Sequence, residues 1–197
     1  PIIVGGTGLY FRALTRGLAR IPSTPPKVRA LATKKLNNEG LDALIADLDN
    51  TTQSRLDLRN PMRVMRAWEV LTSTQRSIVQ WQDDTPPPLL GLAECSPILF
   101  DVDKDWLNER IKTRFDQMLA CGALEEAQQN LKDWDPKALS SKAIGAKELI
   151  SYLAGDLTFE EARERATIAT RQFAKRQRTW FRSNMSNWRS IDQDGLS

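Results

Sequence analysis

The chain has 197 residues, with 28 Lys and Arg against 25 Asp and Glu and a formal net charge of +3. At 41% hydrophobic and 27% charged it has the composition of a soluble globular protein with one sizeable core or two small domains, and no apolar run approaches the roughly 18 residues a membrane helix needs. The absence of histidine excludes Ser-His-Asp and Cys-His nucleophile schemes and every His-ligated metal site, while Cys95 and Cys121 stand at no zinc spacing and make no disulfide framework. A reducing cytoplasm is the simplest compartment for such a chain.

The charge is unevenly spread. Residues 163 to 189 hold eight bases (Arg163, Arg165, Arg171, Lys175, Arg176, Arg178, Arg182 and Arg189) and one acid, Glu164, a local +7 that leaves −4 for the rest. Basic character concentrated in one segment points to a phosphate-rich partner.

Pro1 opens the chain in what reads as mid-strand, so the sequence reads as a fragment lacking an N-terminal portion. Ile2 to Val4 is β-branched and apolar on both faces, as in a buried parallel strand. It runs into Gly5-Gly6-Thr7-Gly8, after which Leu9, Leu14 and Leu18 fall at helical spacing. Strand, glycine turn and helix is the predicted unit, with Thr7 as N-cap. The backbone N–H groups of that turn either form an anion site or serve the turn alone.

Prolines at Ile21 to Pro26 break the pattern. Apolar residues then predict helix from Lys27 to Asp49, interrupted at Gly40, and a further helix from Pro61 to about Gln82. Thr85-Pro86-Pro87-Pro88 is the clearest linker. The two proline-rich boundaries bracket a helical segment, residues 20–86, the size of a small inserted domain. Beyond it, Ile98 to Phe100 predicts a strand. Asp103 or Asp105 caps a helix through Leu107, Ile111, Phe115 and Met118, which ends at Cys121-Gly122, and a helix from Leu124 to Leu131 follows. Ser140 to Leu153 reads as a loop feeding a helix, and Thr158 with Glu161 forms a capping box that opens a long helix towards Arg182. Asn187 to Ile191 is a last edge strand.

Arg171, Lys175, Arg178 and Arg182 step by four, three and four, a basic stripe with Ala166, Ala169, Phe173 and Trp180 as an apolar stripe on another side. Arg110 and Arg114, one turn apart, suit either a bidentate grip on a diphosphate or a surface pair bridged to Glu109 or Asp116. Arg63 and Arg66 stand at a helix start, where the dipole disfavours cations unless a phosphate or carboxylate is near. Lys142 to Lys147 puts Gly145 between two lysines, either for close backbone approach to a nucleotide or for a turn.

Val-Gly-Gly-Thr-Gly-Leu-Tyr-Phe (4 to 11), Asn-Pro-Met-Arg-Val-Met-Arg-Ala-Trp-Glu-Val (60 to 70), Arg-Ile-Lys-Thr-Arg-Phe-Asp-Gln-Met-Leu (110 to 119), Lys-Ala-Ile-Gly (142 to 145) and Ala-Thr-Arg-Gln-Phe-Ala-Lys-Arg-Gln-Arg-Thr-Trp-Phe-Arg (169 to 182) occur in that order. In this the chain resembles the bacterial tRNA dimethylallyltransferases from Pro1 to about Asp192. The resemblance implies an α/β fold: the C-terminal part of a P-loop kinase-like core (1–19 and 87–197) with an inserted all-helical tRNA-binding domain (20–86), mainly helical in this chain. It implies transfer of a dimethylallyl group from its diphosphate to N6 of the adenine next to the anticodon, with Mg²⁺ as cofactor, the tRNA anticodon stem-loop as partner and a monomeric cytoplasmic protein.

By that resemblance Thr7 contacts the target nucleotide and Arg114 holds the diphosphate as it leaves. Arg29, Met62, Arg63, Val64, Met65 and Arg66 contact tRNA, as do Lys142, Ala143, Ile144, Gly145, Ala146 and Lys147. Arg110, Lys175, Arg176 and Gln177 lie near phosphate. The family's P-loop and general base lie upstream of the first strand read here, so the fragment is expected to be inactive by itself. Ala146 stands where the family often has Tyr. An adenylate prenyltransferase of the cytokinin type and a non-catalytic RNA-binding module are the alternative readings.

Overall fold

In a computed structural model the structure describes residues 1–196; Ser197, where the expected core segment ends, lies outside them. The chain divides into two compact units, Leu9–Cys95 and, separately, Pro1–Gly8 together with the chain from Ser96 onward.

The unit Leu9–Cys95 is helical. It takes in all of α1 (Gly8–Arg16) but its first residue, then α2 (Pro26–Glu39), α3 (Leu41–Ala46), α4 (Asn50–Arg55), α5 (Pro61–Thr74) and α6 (Ile78–Asp83). The expected break between α2 and α3 is at Gly40, whose φ of 85° suits a residue without Cβ. Helix α4 was not anticipated. Its signal is Asp49, whose carboxylate accepts from the Thr52 amide at 2.9 Å and from the Thr52 hydroxyl at 2.6 Å. The single helix expected from Pro61 to Gln82 is two: Gln75 turns left-handed at φ 55°, and Ser77 with Gln80 starts α6 through a capping box. Leu44, Leu48, Val64, Ala67, Val70, Ile78 and Val79 bury together as the core.

The edges of this unit fall at 8/9 and 95/96, wider than the expected 19/20 and 86/87. The end of α1 and the proline-rich segment hold each other. The Leu90 amide donates to the Leu14 carbonyl at 3.0 Å, and Gly17, at φ 84°, lies so close to the Pro86 carbonyl that a side chain there would overlap it.

The other unit carries β1 (Ile98–Phe100), α7 (Lys104–Ala120), α8 (Ala123–Asn130), α9 (Ala146–Leu153), α10 (Phe159–Asn184) and β2 (Arg189–Ile191). The strands pair in parallel, Ile98 with Arg189 and Phe100 with Ile191. Asp103 caps α7 by accepting from the amides of Asp105 and Trp106, both at 2.8 Å. Thr158 and Glu161 form the expected capping box on α10. Phe115, Ala127, Leu149, Ile150 and Ala166 make the core, which joins α7, α8, α9 and α10.

Two expectations fail in this unit. Ile2 to Val4 forms no strand, and Ile2 and Val4 are 94% and 87% exposed. A strand needs neighbours for its amides and carbonyls, and among the described residues the sheet consists of β1 and β2 alone. Phe173, expected on the packed stripe of α10, is exposed. The buried residues of that helix are Ala162, Ala166 and Thr167, near its start. The result is a mainly helical chain with a small parallel sheet. Among the described residues no helix is long and apolar enough to cross a membrane.

Candidate functional site

Helix α10 organises the site in its unit. Gln177 donates its side-chain N–H to the Gly6 carbonyl at 2.8 Å, across 171 positions of sequence. A Cβ on Gly6 would run into that amide, and a Cβ on Gly8 would overlap the Trp180 ring. Gly8 is therefore required by close approach to the Trp180 ring, whereas at Gly6 the flexible Gln177 amide could give way; between them the exposed Thr7 is presented directly before α1. Gln177, expected near phosphate, has its amide N–H committed to this loop. Trp180, expected on the apolar stripe, is likewise a platform under the glycine turn.

Beside that contact lies an open groove of about 560 Å³, lined by Gln172, Lys175, Arg176, Thr179, Trp180, Ser183 and Asn184. Lys175 and Arg176 bring two cations to it. Among the described residues neither forms an ion pair, and Arg176 lies over the Phe173 ring, 5.9 Å from its centroid. The polar lining from Gln172, Thr179 and Ser183 was missed in the sequence, although those residues recur on one face of the helix at spacings of seven and four.

The stripe itself divides by partner. Arg182 donates to Asp101 at 3.1 Å. Asp103 is held below the usual carboxylate range by the Trp106 amide first, with the Arg178 charge adding to it. Acids distant in sequence thus supply the counter-charge that residues 163 to 189 lack. Arg171 is half-buried, and its Nε is a buried donor with no hydrogen-bond partner among the described residues, a state that calls for an acceptor.

On α7 the alternative of a bridged surface pair for Arg110 and Arg114 does not hold. Asp116 is taken by Arg163 of α10, with Nε and Nη2 on its two oxygens at 2.5 and 2.6 Å. That pairing depresses the Asp116 pKa and raises that of Arg163. Arg110 lies over the Trp106 ring at 4.8 Å, and Arg114 is exposed and, among the described residues, unpaired. The adjacent Phe115 packs under Gly145, where φ is 96° and a Cβ would come within 2.9 Å of the ring. The Gly145 amide donates to Glu148 at 3.0 Å. So the Lys142 to Lys147 loop is moored to α7 one residue from Arg114. Gly145 is buried, whereas Lys142, Ala143, Ile144 and Lys147 are exposed and Ala146 is half-buried.

In the helical unit, Arg29 on α2 and Arg66 on α5 face the buried Glu69 at 4.0 and 3.6 Å, and Arg63 faces Asp57 at 3.6 Å. The carboxylates that the helix-dipole argument required are thus within the chain. Asn60 caps α5, accepting from the Met62 and Arg63 amides at 3.1 and 3.3 Å. Met62 is exposed and Met65 half-buried. Val64 is fully buried in the core, so of the expected RNA-contacting run its side chain faces inward.

Among the described residues no group of three or more Asp, Glu or Cys converges. They form no cage for the Mg²⁺ that the resemblance implies.

The family model for IPP transferase matches residues 1–184. The chain is 56% identical over 191 residues to a tRNA dimethylallyltransferase of Cereibacter sphaeroides, covering 97% of this chain and 66% of that protein. It therefore spans a little under two thirds of that curated relative. A solved tRNA delta(2)-isopentenylpyrophosphate transferase from Staphylococcus epidermidis is similar at a TM-score of 0.57 and 30% identity, over 100% of this chain and 64% of that one. A eukaryotic dimethylallyltransferase acting on tRNA shares the fold at a TM-score of 0.72 and 24% identity, over 98% of this chain and 51% of that one. By its ordered motifs and by these likenesses, the chain belongs to the IPP transferase family.

Proposed function

We propose that this chain carries the diphosphate-holding and RNA-gripping parts of a tRNA prenyltransferase. The reaction is attack by the exocyclic N6 of the adenine next to the anticodon on the allylic carbon of dimethylallyl diphosphate. The new N–C bond forms as the C–O bond breaks, the diphosphate leaves with the electron pair, and the amine proton passes to a base. Arg114 stabilises the departing diphosphate, a task suited to a fixed cation whose charge no nearby acid neutralises. Thr7 meets the target nucleotide, and Arg110, Lys175 and Arg176 hold phosphate. Reaching an adenine amine requires the base to be unstacked first.

The observation that carries this reading is the set of exposed, acid-free cations on α7 and α10, on the same unit as a glycine loop that α10 holds by backbone and ring contact. A structural helix face would carry the acids that Arg163 and Arg182 have. The family's P-loop and general base are not among the motifs of this chain, and the reading assigns them to the remaining length of the relatives. It includes a monomer acting in the cytoplasm. The helical unit, with Arg29, Met62, Arg63 and Arg66, is assigned to the tRNA. The test is prenyl transfer by a protein of the relatives' full length: unmodified tRNA should be the acceptor and free AMP should not. Prenylation of AMP with none of tRNA would overturn the substrate assignment.

A further inference from the structure

Among the described residues Glu69 is the only charged residue in the buried class, at 5% exposure. A carboxylate taken out of water is costly unless cations and donors meet it. Its two oxygens face two different arginines. Oε1 lies 4.0 Å from Arg29 Nε on α2, and Oε2 lies 3.6 Å from Arg66 Nη1, one turn back on α5. Arg66 also donates through Nη1 to the hydroxyl of Thr24, itself 8% exposed. Both arginine side chains still reach solvent, at 65% and 39% exposure.

The contrast with Arg163 and Asp116 is informative. There one arginine meets one acid through two short parallel bonds, and each satisfies the other. At Glu69 one acid is shared loosely by two arginines, each with five N–H donors, and the group keeps an excess of one positive charge. Such a group is poorly built as a closed ion pair and well built to hold two guanidinium groups towards an external anion.

We infer that Glu69, with Thr24, is a positioning residue for a phosphate site formed by Arg29 and Arg66. The ligand is a backbone phosphate of RNA. This rests on the reading that the helical unit grips tRNA. Glu69 touches no ligand; it fixes the pair from beneath, and Thr24 holds the same Nη1 of Arg66 that faces Glu69, leaving Nη2 for the anion.

The sign of one substitution separates positioning from bulk charge. Glu69→Gln makes the protein more positive, so long-range electrostatics alone would tighten RNA binding, whereas loss of positioning weakens it. With unmodified tRNA as the probe and the full chain as the protein, Glu69→Gln should weaken binding by about three- to tenfold, and Arg29→Ala/Arg66→Ala by more. Added to that double-arginine variant, Glu69→Gln should change binding by less than about twofold, because the groups it positions are gone. Thr24→Val should weaken binding by about two- to fivefold even if Glu69→Gln does not fold. Should the arginine variant weaken binding while Glu69→Gln and Thr24→Val leave it unchanged or tighter, the positioning role is wrong and the RNA reading survives. Should the arginine variant bind tRNA as tightly as the parent, the assignment of this unit to RNA fails, and the inference with it.

Discussion

The two units treat their cations differently. In the helical unit Arg29 and Arg66 face Glu69, Arg63 faces Asp57, Arg55 pairs with Asp83 and Lys35 with Asp47. In the other unit Arg114, Lys142, Lys147 and Lys175 have no acid partner among the described residues, and Arg110 and Arg176 rest on aromatic rings. Paired cations fix a shape, whereas exposed cations without acids keep their field for a ligand. The difference is the one the proposed reading uses, with exposed cations for phosphate on the unit containing α7 and α10 and a shaped grip in the helical unit.

The sharpest way to break this comparison is Arg114→Ala. In a protein of the relatives' full length, prenyl transfer to tRNA should fall by about 10²- to 10³-fold, with the unfolding midpoint nearly unchanged, since the side chain is exposed and unpaired. A comparable loss of stability would mark Arg114 as structural. Leu44→Ala should do the reverse. Leu44 is 0% exposed, and its truncation should cost about 2–5 kcal/mol in urea unfolding, while Arg114 and its surroundings stay intact.

A smaller effect separates free from paired cations on one helix. Lys175→Ala with Arg176→Ala should reduce the salt dependence of tRNA binding by about 1.4 to 1.8 in log–log slope. Arg163→Ala, which removes an arginine already spent on Asp116, should leave that slope unaltered. Equal slopes for the two variants would erase the distinction drawn here.

The smallest effect concerns pH. Arg163 holds Asp116 below its ordinary pKa. A depressed carboxylate stabilises the fold above its unfolded pKa, and that contribution is lost as pH falls through the folded value. Acid unfolding should therefore lose part of its pH dependence in Asp116→Asn, seen as a flatter midpoint-against-pH curve below the ordinary carboxylate range.

Local signals were legible in the sequence wherever one residue type decides the backbone. Pro61, Gly40, Asp103 and the Thr158 capping box all mark their elements in the structure. What escaped depended on distant partners. Ile2 to Val4 has strand composition, yet pairing requires a neighbouring strand, which no local pattern supplies. The cap of α4 by Asp49 was readable in principle, but its six residues are too short for an apolar period. The basic stripe of α10 was visible as charge, whereas its division into paired and unpaired cations depends on Asp101, Asp103 and Asp116, brought in from 47 to 81 positions away. Gln177 is near phosphate by resemblance; only the fold shows its bond to Gly6.

The central claim is that the exposed, acid-free cations of the unit with α7 and α10 serve phosphate, Arg114 the diphosphate and the others RNA. It is tested most directly by measuring tRNA affinity across a range of salt concentrations. Five of the cations named above and not assigned to the diphosphate, Arg110, Lys142, Lys147, Lys175 and Arg176, predict a log–log slope of about −3.5 to −4.5 if all engage RNA phosphate. A slope near zero would contradict the account.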